Sequence, residues 1–292
     1  MIVAARAADQ RRSRTRRVTN AIMLTVTGLA TVTAVVPLIW ILAYVTQEGG
    51  RFLTPAFFTS MPTPVGVAGG GVGNAIVGSA ILVGLACLLA IPPGILAALY
   101  AARRPNSPLG LALRFGTDVL SGVPSIVVGI FAYTVIVLPQ RHFSALAGGA
   151  ALAVIMLPVI IRSTEEMLKL VPADLREASL ALGAPEWKTA MQVILPAALD
   201  GVITGVMLGV ARVAGEAAPL MLTSFGNSFL STSINEPIAA LPHTIFVYAI
   251  APYKDWHDKA WTTALVLILL VLTLNVSARL LMAWRKRRLG GR

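Results

Sequence analysis

Six runs of mainly apolar residues divide the chain, and each is long enough to cross a lipid bilayer as an α-helix. They cover residues 21–45, 73–102, 114–138, 144–161, 201–224 and 260–284. A spanning helix needs about 20 apolar residues, and it satisfies its backbone polar groups within itself. Of 292 residues, 56% are hydrophobic and 13% are charged, whereas about 25% are charged in an average soluble domain. The sequence therefore predicts an all-α, polytopic membrane helix bundle with six transmembrane helices.

Lys and Arg residues are distributed unevenly over the ends of these runs. The two termini and the connections after the second and fourth runs carry 19 of them, whereas the other connections carry four. Because cytoplasmic loops are enriched in Lys and Arg, both termini are predicted to be cytoplasmic. The same distribution explains the net charge of +11 without a nucleic-acid partner. The basic residues flank apolar runs and form no compact polar domain with stacking aromatics.

The apolar runs and the segments around them define the predicted domain organisation. We expect a disordered basic tail over residues 1–20, a transmembrane domain over residues 21–284 and a basic C-terminal tail over residues 285–292. Two polar connections lie within the transmembrane domain. These are a cytoplasmic loop at residues 162–199 and an external loop at residues 225–259.

Two local signals modify the pattern of apolar runs. Residues 121–125, SGVPS, place helix-breaking glycine and proline inside the third run. After the fourth run, Ser163 and Glu166 fit a capping box, in which the serine accepts from the helix and the glutamate reaches back. A separate helix is therefore expected to begin there and to lead into the polar loop.

Residues 174–196, DLREASLALGAPEWKTAMQVILP, are the longest polar interruption of the apolar pattern. Their first half is rich in helix formers and places Leu175, Ala178 and Leu182 on one helix face. Gly183 then supplies the left-handed residue that ends a helix, and the proline two residues later is preset for the first turn of the next. The stretch is predicted to be a short helix, a glycine joint and a second helix.

The same stretch resembles the cytoplasmic EAA loop of ABC importer permeases, whose pattern is E-A-A, three residues, G, nine residues and I-x-L-P. Only Ser179 and Val193 depart from that pattern, both by small changes. The resemblance implies a type I ABC importer permease fold, in which this loop is a coupling helix that docks into a groove of an ATPase subunit. It assigns ATPase coupling to Glu177, Ala178, Gly183, Leu195 and Pro196. The alternative is an amphipathic helix that lies on the bilayer surface.

Arg212 and Glu216 are charged residues inside the fifth apolar run. A charged residue in hydrocarbon costs roughly 2.5 to 3.5 kcal/mol on insertion scales, which makes such residues functional candidates. Their spacing predicts an ion pair on one helix face, beside the small residues Gly201, Gly205 and Gly209, which favour helix packing. The planar guanidinium can grip an oxyanion through two hydrogen bonds. Two hypotheses stay open: the pair lines a substrate pathway, or it only locks the helix in place.

The chain contains no motif for catalysis or for a cofactor. A G-K-[ST] arrangement is absent, so the chain cannot bind ATP through a P-loop. His142, His243 and His257 lack metal-ligand spacing, and no set of Ser, His and acid is apparent. We therefore expect a transport subunit that is not an enzyme and that needs no metal or other cofactor.

Three longer segments, residues 122–131, 157–189 and 204–220, resemble the permeases of phosphate-specific transport (Pst) importers. The chain length and the short first external loop are closer to the PstA type than to its PstC partner. The resemblance implies a heterodimer with a PstC-type permease, two copies of a PstB-type ATP-binding subunit and an external PstS-type protein that delivers inorganic phosphate. It also implies a prokaryotic plasma (inner) membrane, and it assigns Arg212 and Glu216 to the substrate pathway.

Three other functions stay open from the residues. A permease of the same architecture for another oxyanion, such as sulfate or molybdate, would keep the coupling loop and an arginine. An ion-coupled secondary transporter would need inverted repeats, and no convincing repeat relates the two halves of the chain. A structural membrane scaffold would differ from both ABC permeases by binding no ATPase.

Overall fold

The structure is a computed structural model that describes the backbone of residues 2–67 and 69–289 and the side chains of residues 16–67 and 69–284. The described residues contain helices and connections and no β-strand, which confirms the predicted all-α class. Short π-helical segments join α5 to α6 and α9 to α10. The helices, in chain order, are α1 Ile2–Gly50, α2 Pro55–Thr59, α3 Gly73–Arg103, α4 Pro108–Gly122, α5 Ser125–Ala132, α6 Leu138–Gln140, α7 Ala145–Lys169, α8 Ala173–Ala181, α9 Glu186–Thr189, α10 Leu195–Ala214, α11 Ala218–Thr223, α12 Leu241–Ile250 and α13 Lys254–Leu289.

Among the described residues, five helices are long and apolar enough to cross a membrane. A sixth span results if α4 and the segment Ser125–Gln140 are counted together, but these two are bent by 104°. The bend follows from Pro124, which keeps the preceding Val123 extended at ψ 128°. The predicted number of six spans agrees with the described residues when this bent pair is counted as one span, and the third span is then two helices and not one straight helix.

Helix α7 lies at the centre of the bundle, where it packs between α3 and α10. Its residues Met156 and Ile160 are fully buried. Gly205 and Gly209 of α10 lie against Ser163 and Met156 of α7, and a Cβ atom at Gly205 would come within 2.1 Å of the Ser163 hydroxyl. The small residues of α10 thus form a helix-packing contact, as predicted.

Two local predictions differ from the structure. Helix α1 begins at Ile2 and includes the basic segment that was expected to be disordered. That segment is rich in Ala and Arg, which are helix formers. Ser163 starts no new helix, because α7 continues to Lys169 and the Ser163 hydroxyl donates to the Val159 carbonyl at 2.7 Å. Neither Gly nor Pro occurs between residues 162 and 169 to end the helix there.

The segment between α11 and α12 is held against the starts of α3 and α7 by hydrogen bonds. The Ala145 N–H donates to the Glu236 carbonyl at 3.0 Å, and the Asn74 amide donates to the Asn227 carbonyl at 2.6 Å. The first of these bonds satisfies an N–H that has no partner within α7. The predicted external loop at residues 225–259 is therefore a structured segment, and it contains α12.

Helix α1 is attached to the bundle at one end. The Tyr44 ring meets Trp261 of α13 edge to face, with 5.0 Å between ring centroids. Gly49 approaches the Trp261 carbonyl so closely that a Cβ atom would lie 2.6 Å from it. The side chains of residues 16–44 are all exposed in the single chain. This apolar length is available to lipid or to another membrane subunit.

Candidate functional site

Helix α8 ends in a Schellman motif, which makes the predicted glycine joint. Gly183 has a φ of +81°. Its N–H donates to the Leu180 carbonyl at 2.9 Å, and the Ala184 N–H donates to the Ser179 carbonyl at 3.2 Å. This pair of bonds requires a left-handed residue at the position of Gly183, which other residues adopt only with strain.

We call the helix–glycine–helix stretch at residues 174–196 the coupling element, and two side-chain contacts fix its second arm, which begins with α9. The Ser179 and Thr189 hydroxyls are 2.9 Å apart and hydrogen-bonded, which ties α8 to α9. Thr189 is buried. Arg103, at the end of α3, forms an ion pair with Glu186 at the start of α9. Ser179, one of the two departures from the EAA pattern, therefore supplies a hydrogen bond that an alanine lacks.

Large apolar side chains of this element are exposed to solvent. Leu182 is 89% exposed and Trp187 is 64% exposed, and Leu175 and Met191 are also exposed. Exposed apolar side chains mark a surface that is available to a partner or to lipid. We call these four residues, with Ala178, the coupling surface. It contains the helix face that the sequence predicted for α8.

The five predicted coupling residues occupy two places in this element. Glu177, Ala178 and Gly183 are exposed on and after α8, where Ala178 is part of the coupling surface and the other two lie next to it in sequence. Leu195 packs against a buried apolar cluster formed by α3, α7 and α10, and Pro196 is exposed in the first turn of α10. The first three can therefore contact a partner, whereas Leu195 anchors the element to the membrane helices.

An ion cluster around the buried Glu165, which the sequence analysis missed, lies where α4 meets the end of α7. The Glu165 carboxylate, only 6% exposed, accepts from Arg114 Nη2 at 2.5 Å and from Lys169 Nζ at 2.7 Å. Arg114 also donates to the Ala101 carbonyl of α3 at 3.0 Å. The four-residue spacing of Glu165 and Lys169 was a usable signal, whereas Arg114 is 51 residues away from Glu165. The cluster ties three helices together beside the coupling element.

Arg212 and Glu216 lie on either side of a helix end. Helix α10 stops at Ala214, and Gly215 leads into the connection to α11, which contains Pro219 in its first turn. Within the part of the chain that the structure describes, neither charged side chain forms an ion pair or hydrogen bond. Arg212 is exposed and Glu216 is half-buried. The ion pair predicted on one helix face is therefore wrong, whereas the assignment of both residues to a substrate pathway stays a prediction.

Chemically, the exposed guanidinium of Arg212 offers five N–H donors to a ligand, and no carboxylate among the described residues occupies them. An oxyanion is the ligand that matches this planar group best. The described residues contain no group of three or more His, Cys, Asp and Glu that is arranged to hold a metal ion.

Comparison with known proteins gives consistent matches along most of the chain. The model of a family described as a binding-protein-dependent transport system inner membrane component matches residues 94–291. The chain is 44% identical over 272 residues to a Yersinia pestis protein named phosphate transport system permease protein PstA, covering 93% of this chain and 92% of that protein. It is 40% identical to the protein of that name from Haemophilus influenzae, covering 93% and 96%. It is 36% identical to a Mycobacterium tuberculosis protein named PstA 1, covering 94% and 91%.

Among solved structures, the fold is similar to that of a chain in an inward-facing structure of the MetNI methionine ABC transporter. The TM-score is 0.59, and the superposition covers 73% of this chain and 94% of that chain. The two sequences are 20% identical, so this likeness shows the fold alone. It confirms the predicted fold of an ABC importer permease.

Proposed function

We propose a phosphate-transport function for this chain because it belongs to the binding-protein-dependent transport system inner membrane components and, among them, to the PstA-type phosphate transport permeases. Together with a second permease, it forms the path by which inorganic phosphate enters the cell. The observation that carries this proposal is the sequence identity, over 93% of the chain, with a relative that bears the name of a phosphate permease. The chain is thus a transport subunit, and the energy for transport comes from a partner that hydrolyses ATP.

The coupling surface supports the part of the proposal that concerns the ATPase. Short helices with exposed apolar side chains bind partners by lying in a groove. Leu182 and Trp187 provide such side chains, and Glu177 provides a charged rim. Movement of an ATPase bound here would reach the membrane helices through Leu195 and the buried cluster that surrounds it. Residues 162–199 form the coupling loop in this proposal.

The geometry around Arg212 supports its proposed role as a transient phosphate contact. Arg212 is about 18 Å along the helix from Asp200, which supports a position in the middle to outer part of a core roughly 30 Å thick. Its guanidinium can hold phosphate through two hydrogen bonds. Glu216, beyond the helix end, would repel an anion that moves along the same path and so keep its binding weak, which conduction requires. In this proposal both charged residues act on the substrate and do not lock the helix.

The proposed assembly contains one PstC-type permease, two PstB-type ATP-binding subunits and an external PstS-type phosphate-binding protein. The chain crosses the prokaryotic plasma (inner) membrane several times, with both termini in the cytoplasm. The distribution of 19 and four basic residues supports this orientation. Residues 225–259 then face the binding protein, and the domain organisation is that of the basic tail 1–20, the membrane domain 21–284 and the tail 285–292.

The test is ATP hydrolysis by the complex reconstituted in liposomes from these four kinds of subunit. We expect phosphate, with its binding protein, to stimulate hydrolysis and to be transported, while sulfate and molybdate leave hydrolysis at its basal rate. Stimulation by sulfate or molybdate without a response to phosphate would instead support the alternative oxyanion permease. Phosphate uptake driven by an ion gradient in the absence of ATP would contradict the ATP-driven mechanism.

A further inference from the structure

A cleft opens on the inner side of the coupling element, where α3 and α7 end and α8 begins. Its volume is about 190 Å³, and three basic side chains line it: Arg103, Lys169 and Arg176. No acidic side chain is among the described residues that line it. We propose that this cleft, which we call the elbow cleft, binds the phosphate-bearing headgroup of an anionic phospholipid.

The three basic residues differ in how far their charge is already compensated. Arg103 pairs with Glu186, and Lys169 shares the Glu165 carboxylate with a second base. Arg176 forms no ion pair or hydrogen bond with any described residue. The cleft therefore keeps a net positive charge, and the donors of Arg176 are available to a phosphodiester.

The floor of the elbow cleft is apolar and favours a lipid over a small soluble anion. Leu99, Leu168 and Ile194 form part of it. They belong to three different membrane-crossing helices, at the ends from which the coupling element emerges. The first carbons of a lipid would be buried against this floor, whereas a free inorganic anion would gain nothing from it. Basic pockets between membrane helices at such ends bind anionic headgroups.

The elbow cleft and the coupling surface lie on different faces of α8, so both can be occupied at once. At 3.6 residues per turn, Arg176 is turned by about 100° or more from Leu175, Ala178 and Leu182. A lipid in the cleft would brace α8 against the ends of the membrane helices while an ATPase holds the other face. Its location in the inner leaflet rests on the proposed orientation, whereas the binding itself does not depend on what is transported.

The experiment measures lipid binding to the full chain, purified within its assembled transporter, by native mass spectrometry. The probes are dioleoyl phosphatidylglycerol and, as the zwitterionic control, dioleoyl phosphatidylcholine. We expect one phosphatidylglycerol per copy of this chain to bind more tightly than phosphatidylcholine. Arg176→Gln should weaken it about fivefold, because one basic residue is lost. Ala102→Phe, which fills the cleft, should weaken it although every charge remains.

The matched control is Arg104→Gln, which removes an exposed charge beside Arg103 that does not line the cleft. Its lipid affinity should equal that of the unmodified protein. Equal affinity for both lipids would overturn the proposal. An equal loss of phosphatidylglycerol affinity in Arg104→Gln and Arg176→Gln would also overturn it, because the lipid would then be attracted to the basic surface in general and not to the cleft. Binding of inorganic phosphate to the delipidated transporter that is lost in Arg176→Gln would identify a site for a soluble anion and also overturn it.

Discussion

Gly215 is the residue at which the fifth apolar run stops being one helix, and it separates the two charges of that run. A four-residue spacing joins side chains only where the helix is continuous. Pro219 prevents the α10 helix from continuing past Gly215, because proline has no N–H for the Gly215 carbonyl and its ring would clash with that carbonyl. The signal was present in the sequence as A-G-E-A-A-P, yet the apolar character of the run concealed it. Arg212 is left with free donors as a consequence.

The first prediction concerns this free guanidinium. Arg212→Gln should lower phosphate uptake by about tenfold or more, since hydrogen bonds to a charged group contribute roughly 1.5 to 3 kcal/mol. The double variant Arg212→Gln with Glu216→Gln should be no better, because no cation remains at that depth. Uptake is measured in cells with labelled phosphate, and co-purification of the ATPase verifies assembly. Arg104→Gln is the control, and strong uptake by the double variant would contradict a role in the pathway.

At the scale of elements, the structure separates what local sequence determines from what packing determines. Helix α3, predicted at residues 73–102, is found at Gly73–Arg103, because its apolar run and its basic end are local features. The break at SGVPS was visible, but its 104° bend was not. That angle depends on contacts far away in sequence, such as Gly129 of α5 against Pro219 of α11. The capping box at Ser163 was wrong because the same residues also suit a helix interior.

The second prediction concerns the joint of the coupling element. Gly183→Val should strain the Schellman motif by about 1 to 2 kcal/mol or more and abolish transport, because a Cβ atom disfavours the left-handed conformation. Gly183→Asn should keep much of the transport, since asparagine tolerates that conformation and no atom lies within 4 Å of an added Cβ. Gly116→Ala, at a glycine that is equally unobstructed, is the control. Phosphate uptake and ATPase co-purification are measured.

Charge on the rim of the same element gives a related expectation. Glu177→Lys should abolish transport and ATPase binding while the permease still inserts into the membrane, because it reverses the charge presented to the groove. Normal uptake in both Glu177→Lys and Gly183→Val would mean that this loop does not couple the permease to an ATPase.

The third prediction concerns the contact between α7 and α10. Gly205→Ala should destabilise the protein by about 1 to 3 kcal/mol, because the new methyl group overlaps Ser163. Adding Ser163→Gly should recover part of the lost stability, because it removes the side chain that the new methyl group overlaps. The recovery is partial because glycine weakens the helix interior by about 1 kcal/mol. Thermal unfolding of the purified complex measures both effects. Gly84→Ala, where nothing lies within 4 Å, should be harmless, and an equal loss there would contradict the packing argument.

At the scale of the whole molecule, long-range hydrogen bonds close the end of the bundle opposite the coupling element. The Asn74 amide reaches Asn227 across 153 positions of sequence, and the Ser79 hydroxyl accepts from Leu241 across 162. No local pattern marks such pairs, so the sequence indicated a loop here and could not show that it is structured. The six runs and their basic ends, by contrast, are local, and they set the number of spans and the expected orientation.

The fourth prediction tests that orientation with single cysteines in a Cys87→Ala background, which removes the natural cysteine of α3. Pro55→Cys and Asn235→Cys probe the end of the bundle that carries four basic residues, and Leu180→Cys probes the coupling element. All three positions are exposed, so a difference in labelling reports the side of the membrane and not burial. Each cysteine is treated in intact cells with a thiol reagent that cannot cross the membrane.

We expect the first two cysteines to be labelled from outside and the third to be protected, because translocating the basic connections would oppose the charge distribution. Leu180→Cys should become reactive once the cells are opened and the complex is dissolved in denaturing detergent, which removes any ATPase that covers it. Labelling of Leu180→Cys in intact cells, together with protection of the other two, would invert the orientation. The coupling surface and the elbow cleft would then face outward, where no ATPase could reach them.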